Sequence, residues 1–392
     1  MKKSLIALAA LAATGAMAQS SVTMYGNVDI GWGTATTKSA DGSSVDKTTG
    51  VVDGTATANR IGFIGTEDLG GGLKAGFKLE QGISPVSTNG WNQRAGSSGH
   101  QVPNGGAFTS GSMREGKLTL SGGFGSLDIG TIQWRAGYAV ASKAVVVSEN
   151  FGGEHHGLVM PSRFTGVSYT TPAFMPGLTA TIQHGGAHGA RASRQSAADA
   201  ADGFRKDENA ISAINLQYTA GPLYLGAAYE SSKVSRTANS NGISATVFTP
   251  ATGYATNAYG AVPVNGTAGG NRTEKAYALG AQYDLGVAKL NATFANRDNG
   301  EAGAANRDST AVSYSVSVPL GAIILAAHMV NYEVKSPTAT VNDVAGHQLG
   351  ARYNLSKRTF VYAHHLTDKD KALAATAQSK RTRSVLGVAH AF

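Results

Sequence analysis

The chain has 392 residues, of which 51 are glycine and only 15% are charged, and its formal net charge is +8. This composition excludes a coiled coil or a disordered tail, because both require a larger share of charged side chains. Cysteine is absent, so disulfide bonds do not stabilise the fold. The basic residues are spread along the sequence instead of forming one stripe, which argues against nucleic acid as a partner.

The N-terminal residues have the pattern of a secretory signal peptide. Two lysines at residues 2–3 precede an apolar run over residues 5–13, and small residues at 16–18 form a cleavage site. We therefore predict a signal peptide at residues 1–18 and one mature domain at residues 19–392. No later run approaches the roughly 18 apolar residues of a membrane-spanning helix.

The mature sequence alternates apolar and polar residues with a period of two. Val22, Met24 and Ile30 fall on one side of the first stretch, while Tyr25 and Asp29 fall on the other. This pattern is typical of a β-strand whose two faces meet different surroundings. The same pattern predicts sixteen strands, near residues 22–34, 57–66, 72–82, 112–122, 124–134, 162–172, 176–185, 208–219, 222–233, 273–284, 287–297, 307–318, 321–333, 344–354, 358–368 and 381–392.

The connectors between these strands alternate strictly between short and long. Seven are tight turns rich in Gly, Pro, Asn and Asp, and eight are long, including residues 35–56, 83–111 and 135–161. A soluble β-sandwich would also alternate, but its strands are usually only five or six residues long. The predicted fold is therefore all-β, a sixteen-stranded antiparallel transmembrane β-barrel with short periplasmic turns and long extracellular loops. Four tyrosines just ahead of short turns fit an aromatic girdle: Tyr169, Tyr218, Tyr283 and Tyr353.

Several segments, in matching order along the chain, resemble the general porins of Gram-negative bacteria, of the β-proteobacterial and neisserial kind. These segments are residues 19–26, the hairpin over residues 60–75, residues 124–130, 167–174 and 355–359, and the closing strand 387–392. The resemblance implies a homotrimer of sixteen-stranded barrels in the outer membrane, each with an inward-folded third loop. It also implies contacts with outer-membrane lipid, lipopolysaccharide and the assembly machinery. This machinery would recognise the row of outward-facing side chains that ends at Phe392.

Sixteen strands enclose a lumen too wide for the wall side chains to fill, which leaves an aqueous channel. Residues 135–161, the third long connector, are the best candidate to enter this lumen, because Phe151-Gly152-Gly153 allows a tight bend. Glu149 and Glu154 would then bring negative charge to the narrowest part of the pore.

Alternation also predicts which basic residues face this loop across the pore. The candidates are Arg60, Lys74, Lys78 and Lys117 on the polar side of the strands, with Arg163 at the end of the loop, matching a family position near the constriction. If side chains alternate strictly along the strand, Arg163 faces lipid. It faces the lumen only if a β-bulge shifts the register. Opposed acidic and basic rows would produce a transverse field that filters solutes by charge. The alternative is that these charges only solvate a wide lumen.

The favoured function is a passive channel for ions and small hydrophilic solutes with a mild anion preference. Loss of Lys2 and Lys3 with the signal peptide leaves a surplus of six basic side chains. Ile64 and Thr131, which replace arginines common in the family, should keep this preference mild. A substrate-selective channel would instead need a ladder of aromatic residues or a denser row of arginines.

A barrel enzyme or an adhesin is the third class of function. The sequence has no nucleophile, phosphate-binding or metalloprotease motif, so we expect no catalytic residues and no cofactor. The pairs His155-His156 and His364-His365 do not predict a metal site, because neighbours on a strand point to opposite faces and no third ligand has suitable spacing.

Overall fold

The computed structural model describes residues 21–83, 85–86, 113–143, 163–187, 209–236, 270–300, 306–374 and 377–392. The strands are β1 (Ser21–Ser39), β2 (Val45–Asp53), β3 (Arg60–Gly70), β4 (Leu73–Gly82), β5 (Met113–Gly122), β6 (Gly125–Ile132), β7 (Phe164–Thr170), β8 (Leu178–Ala187), β9 (Asn209–Ala220), β10 (Leu223–Arg236), β11 (Gly270–Asp284), β12 (Lys289–Asp298), β13 (Asp308–Leu320), β14 (Ile323–Ser336), β15 (Ala339–Asn354), β16 (Thr359–Asp370) and β17 (Gln378–Ala391). A helix, α1 (Ala136–Lys143), follows β6. The predicted signal peptide, residues 1–18, lies outside the described residues. In the described part of the chain, no helix is both long and apolar enough to span a membrane.

The strands form one closed antiparallel sheet. β1 pairs with β17 along one edge, from Asn27 opposite Ala391 to Ser39 opposite Gln378. The other edge of β1 pairs with β3 over its first half and with β2 over its second half. β2 and β3 therefore share one strand position in the barrel wall. The seventeen strands thus form a barrel with sixteen strand positions. The predicted closure between the first and last strands is confirmed, so the two ends of the sheet pair with each other.

Each of the sixteen predicted strands overlaps a strand of the structure, and β2 is the additional one. The expectation that residues 35–56 form a loop is wrong, because β1 continues to Ser39 and β2 returns along it. Cross-strand pairing thus extends the hairpin beyond the apolar belt, where the sequence no longer alternates between apolar and polar residues.

A buried carboxylate explains why the wall is interrupted between β2 and β3. Asp29 on β1 is fully buried, and its carboxylate accepts hydrogen bonds from the backbone N–H groups of Ala56 at 2.6 Å and Thr57 at 2.9 Å. The Tyr362 hydroxyl on β16 donates to the same carboxylate at 2.6 Å. Residues 54–59 therefore wrap around Asp29 instead of pairing in the sheet, which satisfies the buried charge with several donors.

Side chains alternate between an apolar outer face and a polar inner face. On β13, Tyr314 is 57% exposed on the outside, whereas Ser313 and Ser317 are 1% and 5% exposed on the inside. Large apolar side chains that are more than half exposed form the outer belt: Trp32, Leu118, Ile129, Leu279, Met329, Leu349 and Leu386. An exposed apolar belt of this extent fits hydrocarbon and not water.

Several short connectors are tight turns in which a glycine adopts a positive φ. Gly221 and Gly321 have φ values of 54° and 64°, and Gly286 has a φ of 79°. The Asp284 carboxylate accepts a hydrogen bond from the Gly286 N–H at 2.8 Å, which fixes the turn between β11 and β12. These are the residue types that such turns require.

The helix α1 lies inside the barrel. Ala136, Val140 and Ala141 are fully buried against the inner wall, together with Phe164 and Ile211. The inner face of the facing strands carries alanines that leave room for the helix: Ala213, Ala228, Ala276, Ala278, Ala295 and Ala311. The third long connector therefore begins inside the lumen, while residues 144–162 of this connector lie outside the described residues.

The C-terminal residue completes the seam between the ends of the chain. The backbone N–H groups of Phe392 and Gly26 each donate to the other's carbonyl oxygen at 3.1 Å. The Phe392 ring covers Gly26 on the outer face, and a Cβ atom at Gly26 would overlap this ring. Glycine at position 26 thus allows the terminal ring to lie flat across the closure.

We expect Gly26→Val to displace the Phe392 ring and to lower the free energy of unfolding by about 1–3 kcal/mol, the usual cost of overpacking. Urea unfolding of the barrel in detergent measures this change. Gly50→Val is the matched control, because Gly50 also lies in a strand but has open space around its Cα. Equal stability of the two variants would contradict the proposed role of Gly26.

Candidate functional site

Ionisable side chains meet on the inner wall formed by β3, β4, β5 and β6. We refer to them as the β3–β6 charge cluster, which consists of Arg60, Lys78, Glu80, Arg114, Glu115, Lys117 and Asp128. Glu80 contacts Arg114 at 2.6 Å and both Arg60 and Lys78 at 3.7 Å. Glu115 contacts Lys78 at 2.7 Å and Lys117 at 3.1 Å. Lys117 also contacts Asp128 at 2.9 Å, so the ion pairs form one continuous network.

A β-bulge brings two neighbouring residues of this cluster to the same face. In the pairing of β4 with β5, Glu80 lies opposite Glu115 and Gln81 lies opposite Met113, so Arg114 is an extra residue. Arg114 and Glu115 are only 6% and 1% exposed. Neither residue was predicted from the sequence. The available signal was two adjacent charges at the start of a strand, since strict alternation would turn one of them towards lipid.

Two basic groups of the cluster, Arg60 and Lys78, are more exposed to the lumen than the carboxylates of Glu80 and Glu115. The side chains of Arg60 and Lys78 are 29% and 25% exposed, whereas those of Glu80 and Glu115 are 3% and 2% exposed. The Tyr25 hydroxyl also donates to Glu80 at 2.8 Å, which helps to hold this carboxylate against the wall. A solute in the lumen therefore meets positive charge first.

The structure brings some of the predicted basic residues together and separates others. Arg60, Lys78 and Lys117 lie in the β3–β6 charge cluster. Lys74 lies near the turn between β3 and β4, where it is exposed, and it forms no ion pair with any described residue. The predicted set is thus split between the middle of the wall and its periplasmic end.

Arg163 lies beside the cluster. Its guanidinium Nε donates to the backbone carbonyl oxygen of Arg114 at 3.0 Å. Because Arg163 precedes Phe164, the first residue of β7, strand alternation does not govern the direction of its side chain. The predicted acidic residues of the loop, Glu149 and Glu154, lie outside the described residues.

A buried ion pair fixes the start of α1 to the wall. Arg135 and Glu230 are 5% and 1% exposed, and their Nε and Oε2 atoms are 2.8 Å apart. The other oxygen of Glu230 accepts a hydrogen bond from the Gly137 N–H at 2.7 Å, and the Gln183 side chain accepts one from the Ala136 N–H at 2.8 Å. These acceptors satisfy N–H groups of the first helical turn, where negative charge is favourable. Arg135 was not among the site residues predicted from the sequence.

A cavity of about 810 Å³ extends from this helix towards the short turns. Lys117 and Asp128 line one side of this cavity, Lys143 of α1 lies at its edge, and Lys289 and Ser317 line the far wall. The side chains that border it are mainly polar, so the space suits water and hydrophilic solutes. The inner wall beside this cavity is therefore compatible with an aqueous path.

The two positions that lack a family arginine lie on different faces of the sheet. Ile64 is opposite Lys78 and faces the lumen, where it is 43% exposed. Thr131 lies on the outer face, two residues beyond the exposed Ile129, and its hydroxyl is 3.3 Å from that of Thr165. The expectation that Thr131 influences the pore is therefore wrong, because alternation turns it away from the lumen.

Comparisons with known proteins agree with this architecture. The family model described as "Gram-negative porin" matches residues 4–373. The chain is 28% identical to an outer membrane porin protein of Bordetella pertussis over the full length of both proteins. It superposes on an anion-selective porin from Comamonas acidovorans with a TM-score of 0.67 and 22% identity, covering 95% of this chain and 100% of that one.

A shorter match has higher identity. The chain is 44% identical to outer membrane porin protein 32 of Delftia acidovorans over 131 residues. This match covers 33% of the chain and 31% of the relative, so the alignment spans about a third of that protein. The superposition on the Comamonas structure supports the fold along the rest of the chain.

We expect Arg135→Met to destabilise the barrel by roughly 3–5 kcal/mol, because it leaves the buried Glu230 without its cation. Adding Glu230→Gln should restore most of this loss, since glutamine still accepts the Gly137 hydrogen bond. Urea unfolding and the open-channel current noise of the single and double variants measure both effects. Lys289→Met is the control, because its pair with Asp284 is 47% and 38% exposed and should contribute under about 1 kcal/mol. An Arg135→Met variant as stable as this control would contradict the role of the buried pair.

Proposed function

The chain belongs to the Gram-negative porin family, and we propose that it forms a water-filled channel in the outer membrane for passive diffusion of ions and small hydrophilic solutes. The closed barrel with sixteen strand positions supports this proposal, because its inner face is polar and its outer face is apolar. A lumen of this width holds water unless it is filled. The cavity next to α1 is in keeping with a path that the helix narrows.

The channel has a mild preference for anions. The observation that carries this proposal is the order of charge in the β3–β6 charge cluster, where Arg60 and Lys78 reach the lumen and Glu80 and Glu115 are buried behind them. With Arg163, the group has five basic side chains and three carboxylates. Positive potential in a narrow passage raises the local anion concentration. The similar Comamonas protein is itself described as anion-selective.

The preference is mild because most of these cations are already paired. Each of the basic side chains in the cluster contacts at least one carboxylate. The electric field in the lumen therefore comes only from the small surplus of positive charge. Ile64, which faces the lumen opposite Lys78, adds no charge. Glu149 and Glu154 would reduce the surplus further if the remainder of their loop stays in the lumen.

Assembly in the outer membrane follows from the same proposal. Residues 1–18 are removed during export, and the mature chain of residues 19–392 forms a homotrimer in contact with outer-membrane lipid and lipopolysaccharide. The assembly machinery reads the outward row that ends at Phe392, where Leu386 and Val388 are 66% and 48% exposed. Catalysis forms no part of this function.

We expect a zero-current potential of the anion-selective sign when the wild-type channel separates two KCl concentrations. Arg60→Ala with Lys78→Ala should lower the anion-to-cation permeability ratio by about twofold or more, because it leaves Glu80 and Glu115 to face the lumen. The difference should shrink as the salt concentration rises, since screening shortens the reach of each charge to about 3 Å at 1 M.

Lys74→Ala with Lys289→Ala provides the matched control, because it removes the same charge from the periplasmic end of the lumen. This control should shift the potential much less. A cation-selective wild type, or equal shifts in the two double variants, would show that the β3–β6 charge cluster does not control selectivity.

We also expect deletion of Phe392 to lower the fraction of assembled barrels in the outer membrane. The terminal residue contributes two backbone hydrogen bonds to the seam and the ring that covers Gly26. Conductance of the barrels that do assemble should change little, because Phe392 lies on the outer face. Quantitative surface labelling measures the assembled fraction, and single-channel recording measures the conductance. A truncated protein with the surface yield of the wild type would overturn the proposed assembly signal.

A further inference from the structure

The cavity of about 810 Å³ beside α1 is lined by one more cation than carboxylates, counting the described residues. The three lysines are Lys117, Lys143 and Lys289, and the two carboxylates are Asp128 and Asp284. Lys117 contacts Asp128 at 2.9 Å, and Lys289 contacts Asp284 at 3.3 Å. Lys143, which is exposed, forms no ion pair with any described residue, so it supplies the surplus positive charge.

Contacts with two strands hold Lys143 in place at the end of α1. Its Nζ lies 4.4 Å from the centre of the Tyr224 ring on β10. Tyr224 is only 3% exposed, and its hydroxyl donates to Gln217 at 3.4 Å. The Gln282 side chain on β11 donates to the backbone carbonyl oxygen of Lys143 at 3.5 Å. A ring face stabilises the ammonium without accepting its N–H groups as a carboxylate would, so these donors remain available to an anion in the cavity.

Neutral polar side chains form much of the remaining wall of this cavity. These amides and hydroxyls come from four strands, β8, β9, β11 and β13, and include Thr181, Asn215, Gln217, Gln282 and Ser317. Each amide has both donor and acceptor atoms, and each hydroxyl is itself a donor and an acceptor. A wall of this kind matches a solute that carries several hydroxyl groups. We refer to these five residues as the neutral wall.

Trp134 adds an apolar surface to the same cavity. It is 36% exposed, and its ring centre lies 5.5 Å from that of Tyr138 on α1. The Trp134 carbonyl oxygen accepts a hydrogen bond from the Gln183 side chain at 2.8 Å, which ties this residue to β8. An indole face packs against the C–H groups of a carbon chain whose polar groups bind elsewhere. The volume of the cavity is also within the range of roughly 300–1,000 Å³ that is typical of small-molecule sites.

We propose that this cavity is a saturable binding site for a hydroxylated monocarboxylate of the sugar-acid class, with the carboxylate on Lys143 and the hydroxyl groups on the neutral wall. One surplus cation matches one carboxylate, whereas a dianion would bring a second charge for which the cavity has no unpaired cation. An inorganic anion would use Lys143 alone, and a neutral sugar would leave Lys143 without a partner. The inference rests on the channel function proposed above, and it adds a site that holds one class of solute during passage.

The test uses the full mature porin in a planar bilayer at low salt, titrated from the periplasmic side with gluconate, acetate, glucose or succinate. Each titration measures the solute concentration that produces half of the maximal reduction in KCl current. The site variants are Lys143→Met and Gln282→Leu. The matched control is Lys357→Met, which removes one exposed lysine from the turn between β15 and β16, outside the cavity.

Gluconate should half-saturate the wild type at a concentration at least about tenfold below those of acetate, glucose and succinate. Lys143→Met should raise the gluconate value by about tenfold or more, because it removes a hydrogen bond to a charged group, and Lys357→Met should change it by less than about twofold. Gln282→Leu should raise the gluconate value by about threefold or more and leave that of acetate unchanged. A mere displacement of α1 would weaken both solutes.

Equal gluconate titrations of the wild type and Lys143→Met would overturn the proposal. Glucose or succinate that binds as tightly as gluconate would also overturn it, because the site would then not recognise a hydroxylated monocarboxylate. KCl conductance without added solute reports the channel separately. A protein that conducts but shows no saturation by gluconate refutes this site alone, whereas a protein that does not conduct refutes the proposed function and this site together.

Discussion

Backbone hydrogen bonding in the absence of water is the constraint on which the rest of this structure depends. An unpaired N–H or C=O group costs several kcal/mol in hydrocarbon, so every strand that crosses the membrane must have a partner on both sides. The pairing of β1 with β17 meets this requirement at the one place where the chain ends meet. Closure then fixes a sheet with an inside and an outside, and alternation assigns each side chain to one of them.

The inner face carries charges that would be costly elsewhere, and the structure pairs them. Glu80 and Glu115 are almost fully buried, yet each contacts two or more cations. This arrangement stabilises the carboxylates and holds Arg60 and Lys78 in fixed positions at the water. The same principle operates at α1, where Glu230 binds both Arg135 and the first turn of the helix. Charge pairing therefore fixes the positions of these side chains on the inner wall, and the proposed anion preference depends on the small excess of cations that remains.

The sequence predicted most of the fold because a strand between lipid and water has a local signature. The sixteen strands, the tight turns and the closure could be located from period-two alternation and turn residues. Sequence reasoning failed where tertiary contacts override alternation. The bulge at Arg114, the detour of residues 54–59 around Asp29 and the continuation of β1 into a hairpin with β2 each depend on partners far away in the sequence.

The candidate site was predicted only in part for the same reason. Arg60, Lys78 and Lys117 were found by counting along strands, since each lies in a regular segment. Arg114 and Glu115 follow the bulge, and Arg135 precedes α1, so counting could not find them. Thr131 was assigned to the pore through family resemblance, although its own strand register turns it outward.

The central claim is that one closed sheet separates lipid from a water-filled lumen, and single-cysteine labelling along β13 tests it most directly. The chain has no cysteine of its own, so each introduced thiol reports one position. Cysteines at Ser317 and Pro319, which border the cavity next to α1, should react with a charged, water-soluble thiol reagent and reduce conductance, whereas those at Tyr314, Val316 and Val318 should react only with a lipid-soluble reagent. Reactivity without a period of two, or reaction of the outward set from water, would contradict this account.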